Sequence, residues 1–203
     1  AFGVMEDSSA SPDVAISLPM GRAPDEIGVR VHQALDGVGG NQKEQLREEV
    51  RHLLGRESAQ LVEQVRAGAS GLEVAHQRAS FYSALLGEVW QLAGGEGAGE
   101  NLVLGAVGGF GRGEMSPASD LDLVFFREDS KAGVAEEVVK QVLYVLWDLG
   151  FKVGHACRTI GETMARSESE PMIKTALLDA RYLAGSSTLW EKFRAEYKKR
   201  SLE

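Results

Sequence analysis

The sequence is short of the residues that most restrict function. It holds one cysteine, Cys157, so no internal disulfide can form, which fits a reducing cytoplasm. Cys157 lies in an apolar stretch, where packing is the expected use of a thiol. The four histidines, His32, His52, His76 and His155, are scattered, and no pair has the spacing of a second metal site. Lysine and arginine form no block, and the net charge is −8. Non-specific nucleic-acid binding neutralises phosphates with many basic groups, so a polynucleotide partner is not expected. No charged-then-apolar amino terminus and no apolar run of membrane-spanning length is present. No internal repeat is visible. What remains is ordinary for a globular chain of 203 residues, with 43% hydrophobic and 26% charged residues, enough for one well-buried domain with a helical extension.

Glycine is abundant, at 24 residues, and its placement is informative. Leu102 to Val107 reads as a strand running into Gly108-Gly109-Phe110-Gly111-Arg112-Gly113. Glycine allows positive φ and close approach of a ligand. A short helix starting near Phe110 would offer free N–H groups to a phosphate, and Arg112 could meet phosphate oxygens with its planar fork of donors. The run has neither the long helix of a dinucleotide-binding fold nor the lysine and hydroxyl of a Walker loop. Pro117 ends the helical turn and Ser119 leads into Asp120-Leu121-Asp122-Leu123-Val124-Phe125-Phe126, a buried-strand pattern. Strand residues two apart share a face, so Asp120 and Asp122 should project together, roughly 6.6 Å apart at the backbone. Two partly desolvated acids at that spacing repel, and a hard cation such as magnesium relieves the repulsion. Paired cations can stabilise the attacking and leaving oxygens of an in-line displacement.

The glycine run together with Glu114-Met115, Pro117 and Ser119-Asp120-Leu121-Asp122 resembles the nucleotidyltransferase motif of the bacterial protein-PII uridylyltransferase/uridylyl-removing enzymes, within the DNA polymerase beta-like superfamily. Two later blocks extend the resemblance. Trp147-Asp148-Leu149-Gly150-Phe151-Lys152-Val153-Gly154-His155-Ala156-Cys157-Arg158-Thr159 is similar to a segment ending Val-Gly-His-x-x-Arg-Thr. Thr175-Ala176-Leu177-Leu178-Asp179-Ala180-Arg181-Tyr182-Leu183-Ala184-Gly185 is similar to a helix of that family. The resemblance implies an α+β fold, a mixed sheet of five or so strands flanked by helices. It implies UTP as donor and a tyrosine hydroxyl of the nitrogen-regulatory PII protein as acceptor. Gly108, Gly109 and Ser119 would hold the triphosphate, and Asp120 and Asp122 two magnesium ions. The family's reverse activity lies on a separate phosphohydrolase domain followed by ACT repeats. This chain contains neither pattern, so it is expected to be an amino-terminal portion of a longer enzyme.

One departure stands out. The superfamily usually carries a third acid on a later strand, but Phe151 to Arg158 has no Asp or Glu. Glu162, Glu170 and Asp179 are candidates with none favoured, and a loose transition state needs little base help. His155 is of a residue type that often serves as a base, although a lone histidine on such a strand is more often structural. A nucleotide-sensing domain without catalysis, or a different protein or small-molecule acceptor, are the alternatives.

The expected organisation is a loosely ordered segment over residues 1–40, a helical extension over 41–95, a catalytic core over 96–166 and C-terminal helices over 167–203. Asn41 with Glu44, Ser70 opening a helix to about Ala93, Thr159 with Glu162, and Thr188 with Glu191 mark helix starts, as does Pro171. Val29 to Leu35 suggests a helical turn. Gly94 to Gly99 reads as a flexible connection. Lys131 to Leu149 is expected to be a helix with Val134, Val138, Val142, Val145 and Leu146 facing the sheet.

Overall fold

A computed structural model describes residues 43–128 and 132–202. The expected amino-terminal segment, its helical turn at Val29 to Leu35 and the Asn41 cap lie outside the described residues. Helix α1 (Lys43–Arg66) and helix α2 (Gly71–Leu92) precede a 3-10 helix (Gly95–Asn101) and strand β1 (Leu102–Ala106). The single-turn α3 (Gly108–Gly111) leads to β2 (Leu121–Arg127), α4 (Ala132–Asp148) and β3 (Val153–Arg158). Helices α5 (Ile160–Ser169) and α6 (Pro171–Leu178), strand β4 (Arg181–Gly185) and helix α7 (Ser187–Leu202) complete the order. The architecture is α+β, a mixed sheet flanked by helices, as the sequence indicated.

Among the described residues the sheet has four strands, where five or so were expected, in the order β3-β2-β1-β4. Strand β1 is antiparallel to both β2 and β4, whereas β2 and β3 are parallel. A parallel pair needs a long crossover, and α4 supplies it. Alternation then sorts the side chains. Leu102, Leu104, Ala106, Leu121, Leu123 and Phe125 enter a core with Phe81, Leu85 and Val89 of α2 and Val142 and Leu146 of α4. Val103, Val124 and Phe126 enter a second core with Met164 of α5, Leu177 of α6 and Trp190 and Phe193 of α7. Phe126 and Phe193 stack at 4.3 Å, an arrangement that adds to the area both rings bury.

Local signals placed several helix starts well. Ser70 and Glu73 form a reciprocal capping box, and so do Thr159 and Glu162, each satisfying backbone donors that the first helical turn leaves over. Elsewhere the structure differs from expectation. The last helix is opened by Ser186 rather than Thr188: the Leu189 N–H donates to Ser186 Oγ at 3.0 Å. Val134 is exposed at 52%, because the buried stripe of α4 runs through Ala135, Val138, Val139, Val142, Leu143 and Leu146 and Val134 falls to its side. The glycine-rich stretch after α2 is an ordered 3-10 helix that buries Ala98 and brings Gly95 under the Trp90 ring, where a Cβ would collide. Residues 181–185, expected within a helix, form strand β4 beside β1. The sheet therefore reaches beyond residue 166 into the segment read as C-terminal helices.

Candidate nucleotidyltransferase site

The site lies where β1 ends and β2 begins. The Val107 N–H donates to the Asp122 carbonyl at 3.0 Å, and the chain then turns through Gly108 at φ +61°. A Cβ in that left-handed conformation is disfavoured by about 1 kcal/mol or more. The turn closes with Gly111 N–H to Val107 O and Arg112 N–H to Gly108 O, both 3.0 Å. In a helix this short, the opening amides have no intrahelical acceptor. The glycine run is thus a tight one-turn cradle at the sheet's end.

Asp122 stands on the same sheet face as Val124 and Phe126, and its partner on β3 is Gly154. Its carboxylate leans across that glycine: a Cβ on Gly154 would sit 2.6 Å from Asp122 Oδ1. On the other side a Cβ on Gly108 would sit 3.5 Å from Oδ2. Two glycines therefore flank the carboxylate and leave it open. Burial, and then the charge of Asp120, push the Asp122 carboxyl above its ordinary value. Among the described residues no hydrogen bond or basic side chain offsets either effect. Asp120 precedes β2 by one residue and is exposed. Asp120 is thus near enough for its charge to act on Asp122.

The remaining expected site residues are placed as follows. Gly109 backs onto the loop, where a Cβ would lie 3.0 Å from the Glu114 carbonyl. Arg112 donates through Nε to Glu114 Oε2 at 3.0 Å and through Nη1 to Asp179 Oδ2 at 2.6 Å. Both partners hold its charge more firmly, Glu114 most. Arg112 therefore fastens the cradle to the segment before β4, and its Nη2 lies over Gly109. Ser119 closes a turn with Ser116: its Oγ accepts from Ser116 N–H at 3.2 Å and its N–H donates to Ser116 O at 3.1 Å.

None of the third-acid candidates joins the pair. Glu162 is the capping partner of Thr159 and lies 3.9 Å from Arg127. Glu170 pairs with Arg166 at 3.7 Å, and Asp179 with Arg112. Among the described residues no group of three acids, histidines or cysteines could hold a metal ion. His155 pairs in register with Leu123, a residue of the opposite core, and its ring lies 6.1 Å from that of Trp147. Strand parity thus turns its imidazole away from Asp122. Burial raises the Cys157 thiol, which keeps it protonated and unreactive.

Residues that the sequence did not single out complete the surroundings. Arg181 donates to the carbonyls of Gly111 at 3.2 Å and Phe110 at 2.9 Å and to Ser83 Oγ at 3.1 Å. Its guanidinium also lies 5.3 Å from the Phe110 ring centroid. It braces the cradle from behind. A cavity of about 340 Å³ opens beside Asp122, Gly108 and Gly154 and runs along β3 to Arg158, roofed by Ile173, Ala176 and Leu177. The signal that could have found it is the parallel register of β3 on β2, which puts Gly154 and Arg158 on the face of Asp122.

Among the described residues no helix is long and apolar enough to cross a membrane. No family model matches the chain. Several curated proteins do. The chain is 36% identical over 174 residues to a bifunctional uridylyltransferase/uridylyl-removing enzyme of Caulobacter vibrioides, covering 81% of this chain and 18% of that protein. It is 50% identical over 102 residues to the protein of that name from Phenylobacterium zucineum, covering 48% and 11%. With the Rhodospirillum rubrum protein of the same name it shares 44% identity over 99 residues, covering 49% and 11%. The chain spans less than a fifth of the length of these relatives. By this similarity, and by the cradle and acid pair it encloses, the chain belongs to the family of bifunctional uridylyltransferase/uridylyl-removing enzymes.

Proposed function

We propose that the chain is the nucleotidyltransferase part of such an enzyme, moving UMP from UTP to a tyrosine hydroxyl of PII in the cytoplasm. The observation that carries this reading is the position of the Asp122 carboxylate, reachable at the sheet's end between Gly108 and Gly154, with no hydrogen bond or ion pair among the described residues, and its pKa raised by partial burial and by the charge of Asp120. An acid in that state fits a hard divalent cation, and with Asp120 it supplies the one or two carboxylates magnesium usually takes. Bound there, magnesium would neutralise triphosphate charge and polarise the reacting oxygens. The chain's own contribution is positional. Gly108 brings backbone amides close to the phosphates, the free edge of Arg112 adds donors, and Ser119 sets the turn that aims Asp120. With no third carboxylate beside the pair among the described residues, transfer would rely on a loose transition state.

The glycine opposite Asp122 favours a second reading, a nucleotide sensor that binds without transfer. Incubation with α-labelled UTP, magnesium and purified PII separates the two. Label on PII supports transfer, whereas UTP retained without transfer supports the sensor. Asp122→Asn removes a metal ligand without adding bulk, so it should abolish labelling while the fold persists. Normal labelling by that variant would remove Asp122 from the site.

A further inference from the structure

The cavity beside Asp122 has two chemically different ends. Gly108, Asp122 and Gly154 form one, where the proposed reading puts the phosphates. Arg158 and Thr163 form the other. Between them lie Val124 and Ala156 of the sheet and Ile173, Ala176 and Leu177 of α6, two apolar walls. Gly154 and Arg158 are both on the Asp122 face, since they pair with Asp122 and Phe126. Four residues of strand separate them by about 13 Å, room for a sugar and a base beyond the phosphates. The volume of about 340 Å³ is within the range of small-ligand pockets, roughly 300–1,000 Å³.

Among the described residues no hydrogen bond or ion pair reaches the Arg158 guanidinium, although the residue is half-buried. Its neighbour Glu162 is committed to the Thr159 cap. The Thr163 hydroxyl donates to the Thr159 carbonyl at 2.8 Å, so Arg158 is the donor at this end with capacity to spare. Guanidinium carries five donors and no acceptor. It suits a base edge bearing carbonyl oxygens and opposes one bearing an amino group.

Resting on the proposed transferase reading, we infer that this cavity takes the nucleoside half of the donor and that Arg158 selects a pyrimidine with a 4-carbonyl, uracil, over its 4-amino counterpart, cytosine. The apolar walls hold the ring plane, and the acid end holds the phosphates. Arg158 is thus a specificity residue of the same site and takes no part in metal binding.

The test is equilibrium binding of UTP, CTP and inorganic tripolyphosphate, each with magnesium, to the chain and to its Arg158→Met and Ala176→Leu variants. The expected result is a preference for UTP over CTP that falls roughly tenfold or more in Arg158→Met, with tripolyphosphate affinity unchanged. Ala176→Leu fills the roof and should weaken both nucleotides while sparing tripolyphosphate. A UTP-to-CTP ratio unchanged in Arg158→Met would overturn the inference and leave the transferase reading standing. Equal loss of tripolyphosphate would also overturn it, by showing that Arg158 holds a phosphate. Absence of binding by any nucleoside triphosphate to the unaltered chain would overturn the transferase reading and the inference together.

Discussion

Replacing Arg181 by methionine tests whether the cradle is held in shape from behind. The guanidinium is buried enough that its pKa is lowered by desolvation, and among the described residues its partners are neutral: two backbone carbonyls and a serine hydroxyl. Methionine keeps the length of the side chain and its packing while removing a donor from both carbonyls; that of Phe110 still accepts from the Gly113 N–H at 3.1 Å, so among the described residues the Gly111 carbonyl is the one left unsatisfied. A hydrogen bond to a charged group is worth about 1.5–3 kcal/mol, and an unsatisfied buried acceptor costs about 1–3 kcal/mol. Relief of guanidinium desolvation returns part of this, so the net loss should be about 3 kcal/mol. For a chain of this size that lowers Tm by roughly 6–12 °C. Gly111 is packed against the Asp179 backbone too closely for any Cβ, so slackening there passes directly to Gly108. The KM for UTP should therefore rise about tenfold, the scale expected when a positioning element loosens. Differential scanning calorimetry and steady-state kinetics read the two effects separately. Arg181→Lys keeps the charge but lacks the planar fork that fits the two carbonyls side by side, so it should fall between. A Tm within about 2 °C of the unaltered chain, or a KM that does not move, would refute the brace.

Three further changes probe other parts of the argument. Because the Asp122 carboxyl is raised in the folded state above its ordinary 3.8, the folded chain binds that proton more tightly than the unfolded chain. Stability should therefore decline as pH rises from about 3.8 through the raised value. In metal-free buffer at neutral pH, Asp122→Asn should melt roughly 1–3 °C higher, a small gain because the site is half-exposed and screened; a lower melting temperature would contradict the electrostatic account. Gly154→Ala places a methyl 2.6 Å from Asp122 Oδ1 and forces the carboxylate aside, so transfer should fall by about a hundredfold with Tm unchanged, and an undiminished rate would show that the carboxylate does not act from this position. Ser186 caps α7 and donates to Glu100 Oε2 at 2.7 Å, at the end of β4 remote from the cradle, so Ser186→Ala should cost about 1–2 kcal/mol without changing UTP affinity, which thermal melts and binding titrations would verify together.

What the sequence revealed and what it hid divide by the range of the interactions involved. Ser70 with Glu73 and Thr159 with Glu162 were readable because a capping box closes within one helical turn. The face on which Asp122, Val124 and Phe126 lie was readable because strand alternation is local. Strand β4 was not: Arg181 to Gly185 follows a helical run, and only pairing with β1, remote in sequence, makes it extended. The destination of Arg112 was hidden for the same reason, since Asp179 lies 67 residues away. Gly94 to Gly99 misled in another way. Glycine there makes room for Trp90, and composition alone does not distinguish room from freedom.

The same reasoning bears on the acid missing from β3. Parallel pairing places residue 154 directly beside Asp122 on the same face, so this is where a third carboxylate from that strand would stand. The space is instead taken by Asp122 itself, whose oxygen lies where a Cβ would need to be. A carboxylate at 154 would add a third negative charge to a site that already raises its own acid by burial and repulsion. Glycine at 154 thus does two things. It lets Asp122 lie flat across the sheet toward Gly108, and it keeps the cavity behind open as far as Arg158. On the proposed reading, a site built in this way would do without a base from β3 and keep room for the cations and the nucleoside. That balance suits a transfer in which position and charge neutralisation, rather than proton abstraction, lower the barrier.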